Sequence, residues 1–168
     1  MQTEAKHSQR AQRLVMVTGP SGAGRSTAIK VFEDIGFEVI DNLPLGMVQR
    51  LLTSEPLSRP LALGLDVRNR DFSPQALLDL LQALAPRQPE LLYLDCSREI
   101  LLRRYSETRR RHPMAPAESA AVGIDRELDL LVPVRARAAV LIDTSELTVH
   151  GLREAIENFF APEEGHRL

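Results

Sequence analysis

Eight residues, Gly19-Pro20-Ser21-Gly22-Ala23-Gly24-Arg25-Ser26, constrain this chain more than any other stretch. They follow an apolar, β-branched run from Leu14 to Thr18 that reads as a buried strand. They open a segment in which Ala28, Ile29, Phe32 and Ile35 recur at helical spacing until Gly36 stops it. In a strand, glycine-rich turn and helix of this kind, backbone N–H groups turn inward around an anion and the helix N-terminus adds partial positive charge. The spacing is that of a Walker A loop, G-x4-G-K-[ST], at every place but one, where Arg25 replaces lysine. Residues Gly19, Pro20, Ser21, Gly22, Ala23, Gly24, Arg25 and Ser26 are therefore the candidate contacts for the phosphates of a purine nucleotide, with the Ser26 hydroxyl as a candidate Mg²⁺ ligand. Arginine is a planar fork rather than a compact point charge, so phosphate binding is expected to tolerate the exchange better than phosphoryl transfer does.

The rest of the chain extends the same alternation. Phe37 to Ile40, Leu61 to Val67, Leu91 to Leu94 and Val140 to Ile142 read as further short strands. Between them, Leu45 to Ser54 reads as a helix with Met47, Val48, Leu51 and Leu52 inward. A second begins at Ser73-Pro74 and buries Leu77, Leu78, Leu81 and Leu84 before Pro86. A charged helix runs from Arg98 to about His112, another spans roughly Ile124 to Leu131, and Val149, Leu152, Ile156 and Phe159 mark the last. Five short apolar strands alternating with amphipathic helices imply a doubly wound α/β fold, a parallel five-stranded sheet of the P-loop NTPase, nucleotide-kinase-like type. At 168 residues one domain suffices. It is placed at 13–161, with a flexible tail at 1–12 and a short tail at 162–168.

Open parallel sheets bind ligands at the carboxyl ends of their strands. Asp66 stands at one such end after the run LALGL, where a second carboxylate meets Mg²⁺ or its water shell, and it reads as the Walker B residue. Asp41 and Asp95 end two other strands, and for Asp41, followed by Asn42 and Pro44, turn capping weighs as much as function. Arg68 and Arg70 flank Asn69 just beyond Asp66, where guanidinium groups can pair with phosphate oxygens. From Arg98 to His112 six arginines face two glutamates. Pairs four apart, Glu99 with Arg103, Arg103 with Glu107 and Glu107 with Arg111, account for half of the cluster as a solvated helix face. Arg109, Arg110 and Arg111 exceed the partners available, as expected of a flap over a nucleotide or a patch on an RNA backbone.

Net charge, −2 at a pI of about 6.1, offers no global attraction to nucleic acid or an anionic membrane. With no apolar leader at the start and no run long enough to span a bilayer, the expected location is the cytoplasm. Cys96, the single cysteine, excludes an internal disulfide and reads as a small buried apolar group. Four dispersed histidines show no metal-ligand spacing.

Taken together, GPSGAGRS, VFEDIGFEVIDNLPL (31–45), LDVRNR (65–70), LDCSREILLRRYSETRRRHP (94–113), IDRELDLLVPVRARA (124–138) and IDTSELTVHGLRE (142–154) resemble the RapZ-like, or YvcJ-like, P-loop nucleotide-binding family of RNase adapter proteins. The resemblance implies ATP at residues 19–26 and GTP at the stretch Asp66, Val67, Arg68 and Asn69, with Mg²⁺ and weak or absent hydrolysis. It also implies partners, a small regulatory RNA and an endonuclease; self-association into a homo-oligomer is a separate expectation. It further implies an amino-terminal half whose family C-terminal domain lies beyond Leu168. Arg25 in place of the family's lysine bears on hydrolysis more than on binding. The alternative from another functional class is a P-loop kinase acting on a small molecule or nucleotide.

Overall fold

The computed structural model describes residues 13–54, 58–67, 69–108 and 119–161. Strand β1 (Leu14–Thr18) leads through the glycine loop into α1 (Arg25–Asp34), followed by β2 (Glu38–Ile40), α2 (Leu45–Ser54) and β3 (Leu61–Gly64). Then come α3 (Pro74–Ala83), a short 3₁₀ turn, β4 (Glu90–Asp95), α4 (Arg98–Thr108), α5 (Ala120–Ala136), β5 (Val140–Asp143) and α6 (Val149–Phe160). The five strands form one sheet in the order β2-β3-β1-β4-β5, and every pairing is parallel.

All five residues of β1 are buried because this central strand is covered on both faces, and period-two alternation sends its side chains to opposite cores. Val15 and Val17 join Phe32, Leu92, Leu94, Ile156 and Phe160 in one core. Leu14 and Met16 join Val48, Leu52, Leu63, Leu77, Leu81 and Leu131 in the other. Helices α1 and α6 thus cover one face of the sheet, and α2 and α3 the other. Helix α5 contributes to both, Ile124 to the first core and Leu131 with Val134 to the second.

Four expectations change. Met47 is 52% exposed, so the inward face of α2 is carried by Leu45, Val48 and Leu52. In α3, Leu80 replaces Leu78 in the buried set. In α6 Val149 and Phe159 face outward, and Phe160 is buried in their place. There the neighbouring rings decide: Phe160 stacks 5.1 Å from Phe32 and under the Arg13 guanidinium at 4.9 Å, contacts that periodicity in one helix does not foresee. Finally, α5 extends in both directions beyond Ile124 and Leu131 and runs through Pro133. Proline inside a helix costs one backbone hydrogen bond, here offset by burial of Leu131 and Val134 on either side of it.

The start of α3 follows its sequence signal. Ser73 is extended, its Oγ accepts from Ala76 N at 3.0 Å, and Pro74 takes the first helical position. Ser73→Ala is expected to cost about 1 kcal/mol and lower the melting midpoint by about 2–4 °C, as read by circular dichroism.

Candidate functional site

The loop between β1 and α1 lies at the carboxyl edge of the sheet, and its path depends on glycine. Gly22 and Gly24 have φ of 93° and 107°, in the left-handed region that other residues rarely adopt. A tight turn over Pro20 to Ala23, with Gly22 inside it, is closed by Ala23 N donating to Pro20 O at 3.1 Å. Gly24 caps α1 without a side chain to offer, so the first-turn N–H groups at Arg25 and Ser26 are left to an outside acceptor.

Two residues hold this loop from behind. Arg104, on α4, donates to Gly22 O at 2.7 Å and to Thr144 O at 2.8 Å. Thr144, buried just after β5, donates its hydroxyl to Ala23 O at 2.7 Å. With the Ala23 carbonyl drawn toward Thr144, the planar trans peptide directs the Gly24 N–H to the opposite side. The loop is thereby set before any ligand arrives, by groups from α4 and the end of β5.

In front, the charges are paired. Arg25 Nε lies 3.1 Å from Asp41 Oδ1, and one terminal nitrogen of its guanidinium lies 3.3 Å from Asp66 Oδ2. Asp66 is 2% exposed, and a buried carboxylate of this kind is tolerated when a cation and hydrogen bonds meet it. Asp41 accepts from Asn42 N at 2.9 Å, a local turn contact, as well as from Arg25. Asp95 does not join the other two carboxylates around Arg25. It accepts from Arg135 Nε at 2.9 Å and from Cys96 N at 3.0 Å. Burial pushes the Cys96 thiol above its ordinary value, only partly offset by Arg104, which suits an inert packing group. The Asp143 carboxyl is held below the usual range by hydrogen bonds from the Ser145 hydroxyl and N–H.

The P-loop fold implies Mg²⁺, and the donor types present suit it. The Ser26 hydroxyl is exposed at the start of α1 and the Asp66 carboxylate stands at the end of β3, both hard oxygen donors. Among the described residues no group of three or more His, Cys, Asp or Glu is placed to hold a metal ion. A divalent ion held by these two residues would need its remaining ligands from phosphate and water, as Mg²⁺ ordinarily does.

Beyond β3, Val67 is half-buried, and Asn69 N closes a turn onto Asp66 O at 3.1 Å while its side chain donates to Leu43 O. Arg70 is exposed. Arg68, Arg109, Arg110 and Arg111 lie outside the described residues. On α4 the anticipated Glu99–Arg103 pair does not form among the described residues. Arg98 instead reaches Asp125 on α5 at 2.6 Å, and Arg104 turns to the loop.

Sequence reasoning missed Arg104, Thr144 and Glu127. The last, on α5, accepts from both the N–H and the hydroxyl of Ser21, the latter at 3.0 Å. Its signal was available: Ile124, Glu127, Leu131 and Val134 recur at helical spacing, so the glutamate sits on the inward stripe of its helix.

The family model described as the RapZ-like N-terminal domain matches residues 12–164. A protein of Dinoroseobacter shibae named nucleotide-binding protein is 59% identical over 160 residues, covering 94% of this chain and 53% of its own length. A nucleotide-binding protein of Ruegeria pomeroyi is 60% identical over 155 residues, covering 90% and 55%. The chain spans about half the length of the curated relatives it matches. Among solved structures, the YorR protein of Bacillus subtilis, in complex with phosphorylated GDP, superposes with a TM-score of 0.61 at 14% identity, over 87% of this chain and 94% of that one. Shikimate kinase from Acinetobacter baumannii, in complex with shikimate, also reaches 0.61, at 19% identity over 90% and 96%. At such identities the likeness is one of fold, that of the P-loop kinases.

Proposed function

The chain belongs to the RapZ-like N-terminal domain family, and from that premise we propose that it is the nucleotide-binding part of a regulatory protein, holding ATP or GTP at the loop from Gly19 to Ser26. The observation that carries the proposal is Gly24, a left-handed cap that leaves the first-turn amides of α1 to an anion, on a loop already braced by Arg104 and Thr144. The relatives' name as nucleotide-binding proteins supports the same ligand class.

In this proposal the loop amides take the phosphates, and Ser26 and Asp66 hold Mg²⁺. Bound there, the ion supplies positive charge to the phosphate oxygens. Arg25 does not act as a Walker lysine. Its guanidinium is engaged by Asp41 and Asp66, so a bound γ-phosphate competes with two carboxylates for it. Hydrolysis is accordingly weak or absent, and the bound nucleotide serves as a signal. The stretch Asp66, Val67, Arg68 and Asn69 is a second nucleotide-contact candidate. Delivery of an RNA to an endonuclease, with Arg109, Arg110 and Arg111 on the RNA backbone, belongs to the proposed role of the longer protein.

Titration with fluorescent ATP and GTP, with and without Mg²⁺, tests this. Saturable binding of at least one is expected, and no binding of either up to millimolar nucleotide ends the proposal. A second function, a P-loop kinase, is favoured by the fold shared with shikimate kinase. Rapid transfer of a γ-phosphate to an acceptor in a metabolite screen would put it first.

A further inference from the structure

Helix α5 turns one stripe inward, Ile124, Glu127, Leu131 and Val134, and one of its four members is a carboxylate with no solvent exposure. Burying a charged group in such a stripe costs several kcal/mol unless hydrogen bonds repay it. Leucine at that position would pack at no such cost. Both oxygens of Glu127 accept from Ser21, one from its N–H and one from its hydroxyl, across 106 residues of sequence. Ser21 lies in the middle of the phosphate loop, and an N–H beside an O–H is the donor pair a phosphate oxygen takes. The carboxylate therefore occupies donors of the loop that a phosphate chain would otherwise use.

Helix α5 is also anchored. Asp125 pairs with Arg98 of α4 at 2.6 Å, and Arg135 pairs with Asp95 at the end of β4 at 2.9 Å, so Glu127 is held between two fixed points. An anion on an anchored helix is a standing competitor for Ser21. On the nucleotide-binding proposal, a short phosphate chain would sit at the α1 N-terminus and a longer one would draw on donors further back along the loop, where Ser21 is already engaged.

We propose that Glu127 is a resident anion of the phosphate loop, a specificity-determining residue that opposes the terminal phosphate of a nucleoside triphosphate and so sets how many phosphates the site favours, an inference resting on the nucleotide-binding proposal above. Like charges brought onto shared donors repel, and that repulsion falls on the longest chain.

Calorimetric titration of the full chain and its Glu127→Gln variant with AMP, ADP and ATP reads this directly. Glutamine keeps the shape and an acceptor oxygen while removing the charge. The variant is expected to bind ATP roughly tenfold more tightly, ADP less so, and AMP within about twofold of the parent. A gain equal for all three nucleotides, or no gain, overturns the inference while nucleotide binding itself stands. Absence of binding in both proteins, for these and for GMP, GDP and GTP alike, overturns the two together. Binding by the variant alone supports both. Should the variant fail to fold, the parent decides: in NMR spectra the Ser21 amide is expected to shift on adding inorganic tripolyphosphate and to hold on adding orthophosphate. An unmoved Ser21 amide under tripolyphosphate ends the inference.

Discussion

Gly19→Ala is expected to lower the melting midpoint of this domain by roughly 6–12 °C, the equivalent of about 3 kcal/mol. A Cβ built on Gly19 would meet Leu94 O at 2.2 Å and Leu94 C at 3.1 Å, so the obstacle is backbone of the adjacent strand. β4 cannot step aside cheaply. Its register with β1 pairs Val17 with Leu92 and Thr18 with Tyr93, immediately before the collision, and β5 is hydrogen-bonded along its other edge. Relief requires parting the end of the β1–β4 ladder, which also carries the loop's first residue out of place. Thermal denaturation of parent and variant followed by circular dichroism checks this. A midpoint within about 2 °C of the parent would show that the strand ends have more freedom than their pairing allows.

Gly24→Asp is expected to act in the opposite sense, weakening nucleotide binding by roughly a hundredfold or more while leaving the domain folded. The nearest atom to a Cβ at this position is Leu152 Cδ2 at 3.5 Å, an ordinary contact. The left-handed φ of 107° imposes a strain of about 1–2 kcal/mol on a residue other than glycine. What changes most is charge: a carboxylate at the cap of α1 can accept from the helix's own first-turn N–H groups and then repels any phosphate approaching them. Titration with fluorescent ATP and GTP, alongside a melting curve, separates the two effects. An affinity within about threefold of the parent would move the phosphate site away from the α1 N-terminus. The pair of variants also divides the loop by physical role, since one glycine permits the approach of a strand and the other keeps a helix end open to a ligand.

Much of the architecture was legible because its causes are local. Short apolar runs ended by turn residues marked the strands, although β3 ends at Gly64 rather than Val67. There the chain leaves the sheet after Leu65 N bonds Val17 O and turns back through Asp66 and Asn69. The phase of the amphipathic helices was less legible. Where apolar residues sit side by side, as at Phe159 and Phe160, spacing admits either as the buried one, and the ring of Phe32 selects Phe160. The six arginines between Arg98 and His112 read as surface charge and RNA contacts, yet Arg104 on α4 braces Gly22 and Thr144. Nothing in α4's own sequence separates it from its neighbours.

The order of residues by itself determined the glycine-rich turn, the strand before it and the helix after it. Glycine's conformational freedom and the period of apolar side chains act over a few residues and need no partner. Only the tertiary structure decided that Arg25 turns to Asp41 and Asp66, that Arg104 and Thr144 hold the loop from behind, and that Glu127 meets Ser21. Those pairings join groups far apart in the chain, and they exist because sheet order and helix packing bring the buried donors and acceptors within reach of one another. A buried polar group must find its partner wherever the fold supplies one, and that location is written in no single segment.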